Sequence, residues 1–148
     1  DENESSIVRS CFTGLYSLDP GFDRSLIDQV LETPYNYVMK PQREGGGNLL
    51  TNEEMVDSLK KFSDDELASY ILMDRICPDI HRTYFYREGK WEIEDGVSEM
   101  GVFGAFMGNG KEEFLNMTCG TLLRSKFASK EDGGVSAGVA YLDSIYLV

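Results

Sequence analysis

Short turn signals divide the second half of the chain into β-type runs too brief for helices, and that spacing limits the fold more than any other feature. Glu88-Gly89 separates residues 83–87 from 90–93, and Gly108-Asn109-Gly110 separates 99–107 from 111–115. Short glycine-containing connections of this kind close hairpins, so both predict antiparallel pairs. Residues 121–127 form a further strand before a glycine-rich loop at 132–138, and the apolar tail at 145–148 needs a core to dock on.

The first half mixes periods. Leu26, Ile27, Val30 and Leu31 recur at helical spacing within residues 23–33, and Pro34 ends that helix. Residues 35–40 read as a strand running into Gly45, Gly46 and Gly47. Thr51 and Glu54 are spaced as a capping box that opens a helix to about residue 62, and Ser63 with Glu66 repeats the signature. Residues 68–76 predict another strand. The fold class expected is α+β, with a mainly antiparallel sheet, flanking helices and two glycine-rich loops. Residues 1–7, polar and acidic, are expected to be disordered ahead of a single portion at 8–148.

Charge narrows the functions. With 26 acidic against 14 basic residues the net charge is −12. A general nucleic-acid binder needs a basic face, so that class is excluded, while a few converging cations and backbone N–H groups can still hold an anionic nucleotide. No apolar run approaches the ~18 residues of a membrane span, and the start DENESS lacks the basic and apolar stretches of a signal peptide. Cys11, Cys77 and Cys119 are widely spaced, odd in number and without a CxxC, a pattern for reduced structural thiols rather than a disulfide framework or zinc site. His81 falls in an expected loop and reads as incidental.

The segment KPQREGGGN at residues 40–48 hands a cation, a carboxylate and three glycines to one loop. Glycines let backbone N–H groups approach phosphate oxygens. A lysine adds a point charge, and a carboxylate beside phosphates can hold Mg²⁺. The other reading is a surface loop with incidental charges, and the string matches neither a Walker A loop nor a dinucleotide fingerprint.

That string resembles the glycine-rich lid of eukaryotic-type glutathione synthetases. FTGLYSLD at 12–19, SYILM at 69–73, SEMGVFG at 98–104, LLRSK at 122–126, DGGVSAG at 132–138 and LDSIY at 142–146 resemble further segments of that family, in the same order. The resemblance covers nearly the whole chain, and the chain about the last third of a family member. It implies the C-terminal part of an ATP-grasp fold, with a lid at 40–51 and a substrate loop at 132–138. The implied activity is an ATP-dependent carbon–nitrogen ligase that phosphorylates γ-glutamylcysteine and lets glycine, or another small amino acid, attack the acyl phosphate to form glutathione or a homologue. A divergent, secreted effector-like relative with weak or altered ligase activity is the alternative. ATP and Mg²⁺ are the implied cofactors.

The resemblance also assigns residues. Lys40, Gly45, Gly46, Gly47, Asn48, Met73, Asp74, Arg75, Ile76, Glu99, Lys126 and Asp132 correspond to nucleotide contacts, with Glu44 as the metal ligand. Arg124, Val135 and Ser136 correspond to substrate contacts, Arg124 holding a carboxylate through its planar fork. Three positions depart from the family pattern. Leu49 and Thr51 replace an asparagine and a tyrosine of the lid, and Ser136 replaces the first of two alanines beside the incoming amino acid. The implied partners are an upstream portion of the same protein and a second copy in a homodimer, with neither nucleic acid nor membrane. The implied compartment is cytoplasmic, or secreted if the upstream portion carries a signal. Activity of this chain alone is not expected.

Overall fold

The computed structural model describes residues 1–43, 48–131, 133–135 and 138–145. The chain divides into two compact units, Asp1–Cys77 and Pro78–Val148, each built on an antiparallel four-stranded sheet. The α+β class expected from the sequence holds, with two sheets where one was anticipated.

The first unit opens with α1 (Glu2–Arg9). The polar start, read above as disordered, is thus helical. Asp1 caps it by accepting the Glu4 N–H at 2.8 Å, and Glu2 and Glu4 lie in the first turn, where carboxylates suit the helix dipole. Next come β1 (Leu15–Ser17), α2 (Ser25–Glu32), a single 3-10 turn (Pro34–Asn36), β2 (Tyr37–Pro41), β3 (Leu50–Thr51), α3 (Asn52–Lys61), α4 (Asp64–Leu67) and β4 (Tyr70–Asp74). The sheet order is β1-β4-β2-β3. Leu18, Val30, Met39, Met55, Leu59, Leu67 and Leu72 form the buried core, with helix and strand residues interleaved. Burying each such side chain stabilises the unit by about 1.5–3 kcal/mol.

Of the two capping boxes expected, one forms. Ser63 Oγ accepts the Glu66 N–H at 3.4 Å, and the Glu66 carboxylate accepts the Ser63 N–H at 2.8 Å. Thr51 does occupy the N-cap of α3 but makes no side-chain cap bond. Asn52 there adopts a φ of 48°, and its amide donates to Thr51 Oγ1 instead.

The second unit is a meander, β5-β6-β7-β8. Its strands are β5 (His81–Arg87), β6 (Lys90–Gly108), β7 (Glu113–Phe127) and β8 (Ala140–Asp143). Glu88 and Gly89, with φ of 50° and 80°, make the expected two-residue turn. The four separate runs expected over 90–127 are two long strands. Gly96 does not interrupt β6: a Cβ there would lie 2.6 Å from Thr83 Oγ1, so the glycine admits the close approach of β5. Register shifts at 103/104 and 107/108 absorb irregularity without ending the pair.

Candidate functional site

In the first unit, strand alternation sorts the side chains onto two faces. Tyr16, Met39 and Leu72 lie on the face that carries the core, since Leu72 pairs with both others. Val38, Lys40, Ile71 and Met73 lie on the opposite face, where Lys40 pairs with Ile71 and Val38 with Met73. Lys40 and Met73 therefore share the face turned away from the core. The Lys40 side chain is exposed and, among the described residues, forms no ion pair. Asn48 Oδ1 accepts from the Arg43 guanidinium at 2.6 Å.

Met73, Asp74, Arg75 and Ile76 are not equivalent. The Asp74 carboxylate points back toward the core side. It accepts the Gly14 N–H at 3.0 Å and the Tyr16 hydroxyl at 3.1 Å, pinning β1 to the end of β4. The Tyr16 phenol is consequently raised above its ordinary 10.0, first because its proton is held by Asp74 and then by burial. Both carboxylate oxygens of Asp74 are thus engaged within the unit. The Asp74 N–H is committed to Gly14 O at 3.0 Å and the Arg75 N–H to Asn36 O at 2.7 Å. Arg75 also reaches Asn52 Oδ1 at 3.3 Å. Ile76 follows with an exposed side chain and, among the described residues, an N–H without a hydrogen-bond partner.

In the second unit, Glu99 pairs with Arg124 and Val97 with Lys126 across β6 and β7, so Glu99, Arg124 and Lys126 lie on one face. Arg124 donates to Glu99 in an ion pair, and Lys126 Nζ donates to Glu131 O at 2.9 Å. The first contact aligns the guanidinium while leaving other N–H donors of its fork for a ligand. Val135 is half-exposed in the following loop, and its carbonyl accepts the Gly138 N–H at 3.0 Å. Glu44, Gly45, Gly46, Gly47, Asp132 and Ser136 lie outside the described residues.

The opposite face of this sheet holds contacts absent from the sequence reading. His81 is not in a loop but begins β5, with Nε2 3.2 Å from Ser98 Oγ. Ser98 Oγ lies 2.8 Å from Ser125 Oγ, which donates to Asp143 Oδ2 at 2.8 Å. Only the alternation Arg124-Ser125-Lys126 hinted at this, because a small polar residue between two cations on a strand faces the other way. All three cysteines are free, and all are exposed rather than packed. Among the described residues no three His, Cys, Asp or Glu side chains gather round a metal position, and no helix is long and apolar enough to cross a membrane.

An α+β fold of two antiparallel four-stranded sheets is the architecture of an ATP-grasp-type, nucleotide-binding domain. The family model described as "Eukaryotic glutathione synthase, ATP binding domain" matches residues 1–147, and the chain belongs to that family. Among curated relatives, the chloroplastic glutathione synthetase of Solanum lycopersicum is 43% identical over 152 residues, covering 99% of this chain and 27% of its own length. Glutathione synthetase of Mus musculus is 45% identical over 144 residues, covering 95% of this chain and 30% of its own. That of Dictyostelium discoideum is 42% identical over 146 residues, covering 97% and 31%. The chain thus spans about three tenths of the length of these relatives. A solved structure of a glutathione synthetase-like effector from Globodera pallida, in its apo form, has the same fold. Its TM-score is 0.71 at 22% identity, over 99% of this chain and 30% of that one.

Proposed function

We propose that this chain is the ATP-binding part of a ligase that joins glycine, or another small amino acid, to γ-glutamylcysteine, acting with an upstream portion of the same protein. The observation that carries the reading is the family match over residues 1–147. The shared face of Glu99, Arg124 and Lys126 is in keeping with it. In this reading Lys40 is a nucleotide contact of the first unit, together with the Ile76 N–H and the Asp74 carbonyl at the adenine edge, and Lys126 is a nucleotide contact of the second unit. Arg124 holds a substrate carboxylate, and Val135 and Ser136 are further substrate contacts. Gly45, Gly46, Gly47 and Asn48 cradle phosphate, and Glu99 and Asp132 complete the nucleotide contacts.

ATP turns the poor carboxylate leaving group into an acyl phosphate, and the protein neutralises charge and excludes water while the amine attacks. With no three-ligand cluster among the described residues, Mg²⁺ would rest on Glu44, on upstream ligands and on phosphate oxygens, the ligand set usual for this ion. Replacing Glu44→Ala in the whole protein is expected to raise the Mg·ATP requirement at least about tenfold, equivalent to about 1.4 kcal/mol. Unchanged ATP turnover would remove Glu44 from the metal site.

We assign the whole protein to a homodimer in a reducing, cytoplasmic compartment. The decisive experiment incubates the whole protein with ATP, Mg²⁺ and γ-glutamylcysteine, then glycine or other small amines in turn, and weighs the products. Product with glycine is expected. ATP binding without any amide product would instead support a divergent, non-synthetic relative. Leu49, Thr51 and Ser136 favour that second reading, since they change the lid and the amino-acid side of the substrate loop.

A further inference from the structure

Ser125 is 1% exposed, yet the ligase reading gives it no contact with a ligand. Its hydroxyl stands between Ser98 Oγ and Asp143 Oδ2, 2.8 Å from each, and Ser98 Oγ is 3.2 Å from His81 Nε2. One side chain from each of the four strands therefore joins a line across the sheet. Proton counting fixes its direction. An ionised Asp143 can only accept, so Ser125 gives it its single hydroxyl proton and must accept from Ser98. Ser98, having donated, must accept from His81 Nε2–H. The carboxylate at one end orients the buried Ser125 hydroxyl and, through it, that of half-buried Ser98.

This line runs behind Arg124 and Lys126, the sequence neighbours of Ser125, whose side chains leave the opposite face. β8 has only four residues, and its Leu142 is the cross-strand partner of Arg124. Asp143 pairs in register with Leu123, so the Ser125–Asp143 bond is a diagonal tie that fastens this short strand beside Arg124. The geometry points to Ser125 and Asp143 as positioning residues that hold β7 against β6 and β8, so that Arg124 and Lys126 present their charges in fixed directions. This rests on the reading that these two cations meet the substrate carboxylate and the nucleotide.

The test uses the whole protein and steady-state kinetics with ATP, γ-glutamylcysteine and glycine, comparing wild type with Ser125→Ala, Ser125→Thr, Asp143→Asn and Arg124→Ala. Ser125→Ala is expected to raise KM for ATP and for γ-glutamylcysteine about tenfold, the scale of one lost hydrogen bond, while KM for glycine and kcat stay near wild type. Ser125→Thr keeps the hydroxyl and restores both constants. Asp143→Asn, which retains an acceptor oxygen, shows a smaller rise. Ser125→Ala kinetics equal to wild type would overturn the inference. So would a loss of kcat that follows the melting temperature and is not rescued by threonine, because that marks a purely structural hydroxyl. A wild type that makes no product, or an Arg124→Ala variant with unchanged KM for γ-glutamylcysteine, would instead overturn the ligase reading beneath it.

Discussion

The two units solve the same problem, holding a four-stranded antiparallel sheet together, by different means. In the first, helices supply four of the seven core residues: Val30, Met55, Leu59 and Leu67 come from helices, and Leu18, Met39 and Leu72 from strands or a strand end. In the second, among the described residues, Phe85 is the single buried apolar side chain, beside the buried polar Thr83 and Ser125. Phe85, Phe127 and Tyr141 cluster with ring centroids 4.4 to 5.9 Å apart, and the hydroxyl–carboxylate line lies on the same face. Hydrophobic burial is forgiving about angle, whereas hydrogen bonds fix register. The lesson is that the unit carrying Arg124 keeps its strands aligned through directional contacts rather than bulk.

That contrast can be broken by substitution. Leu72→Ala, at the centre of the first core, should cost about 2–5 kcal/mol, read from a lowered urea midpoint in the helical circular dichroism. Among the described residues all helices lie in the first unit, and the lone tryptophan, Trp91, lies in the second, so fluorescence follows the other sheet. An equal shift in both signals would mean that one cooperative core serves both. Gly14→Ala should cost about 1–3 kcal/mol, as overpacking does, because the added Cβ would lie 2.4 Å from both Asp74 Oδ2 and Tyr16 Oη. No loss would mean that the β1–β4 contact yields freely.

Tyr16→Phe should cost about 1 kcal/mol near neutral pH. Its pH signature is sharper. The folded phenol is raised above 10.0, so its contribution is complete below that value and is lost as pH rises through the folded pKa. Wild type should therefore lose its margin over Tyr16→Phe in alkali, and a constant margin through that range would refute the Asp74 hydrogen bond. The smallest effect belongs to the second unit. Phe106, 71% exposed on the long ribbon, can become serine with a change within about 0.5 kcal/mol in the 148-residue chain. A larger loss would mean that the ribbon is covered and the contrast overstated.

Much of the fold was legible because its signals are local. Glu88-Gly89 and the 108–110 glycines located both hairpin turns, the 3.6-residue period located α2, and Ser63 with Glu66 located α4. Errors arose where local cues were outvoted. Thr51 and Glu54 have capping-box spacing, but the positive φ of Asn52 accompanies a different arrangement. Gly96 is required by Thr83, thirteen positions earlier, and not by a strand end. The candidate site was legible chiefly through the resemblance of residues 40–48, 122–126 and 132–138 to one family. Asp74 shows what such matching misses: its side chain is committed to Gly14 and Tyr16, 60 and 58 residues away, which no spacing rule foresees. The His81–Ser98–Ser125–Asp143 line depends on the register of four strands, and register is not written in any one of them.

The strand orders described above also carry a consequence for how the chain reaches its native state. Every pairing in β5-β6-β7-β8 joins consecutive strands, so this sheet can zip from its turns with little loop closure. The order β1-β4-β2-β3 makes β1 wait for β4, Leu15 meeting Met73 only after the intervening chain is complete. Low contact order favours speed, so the meander is expected to protect its amides first in pulse-labelled hydrogen exchange, with β1 closing last. On a ribosome the same topology leaves β1 without its partner strand until β4 has emerged.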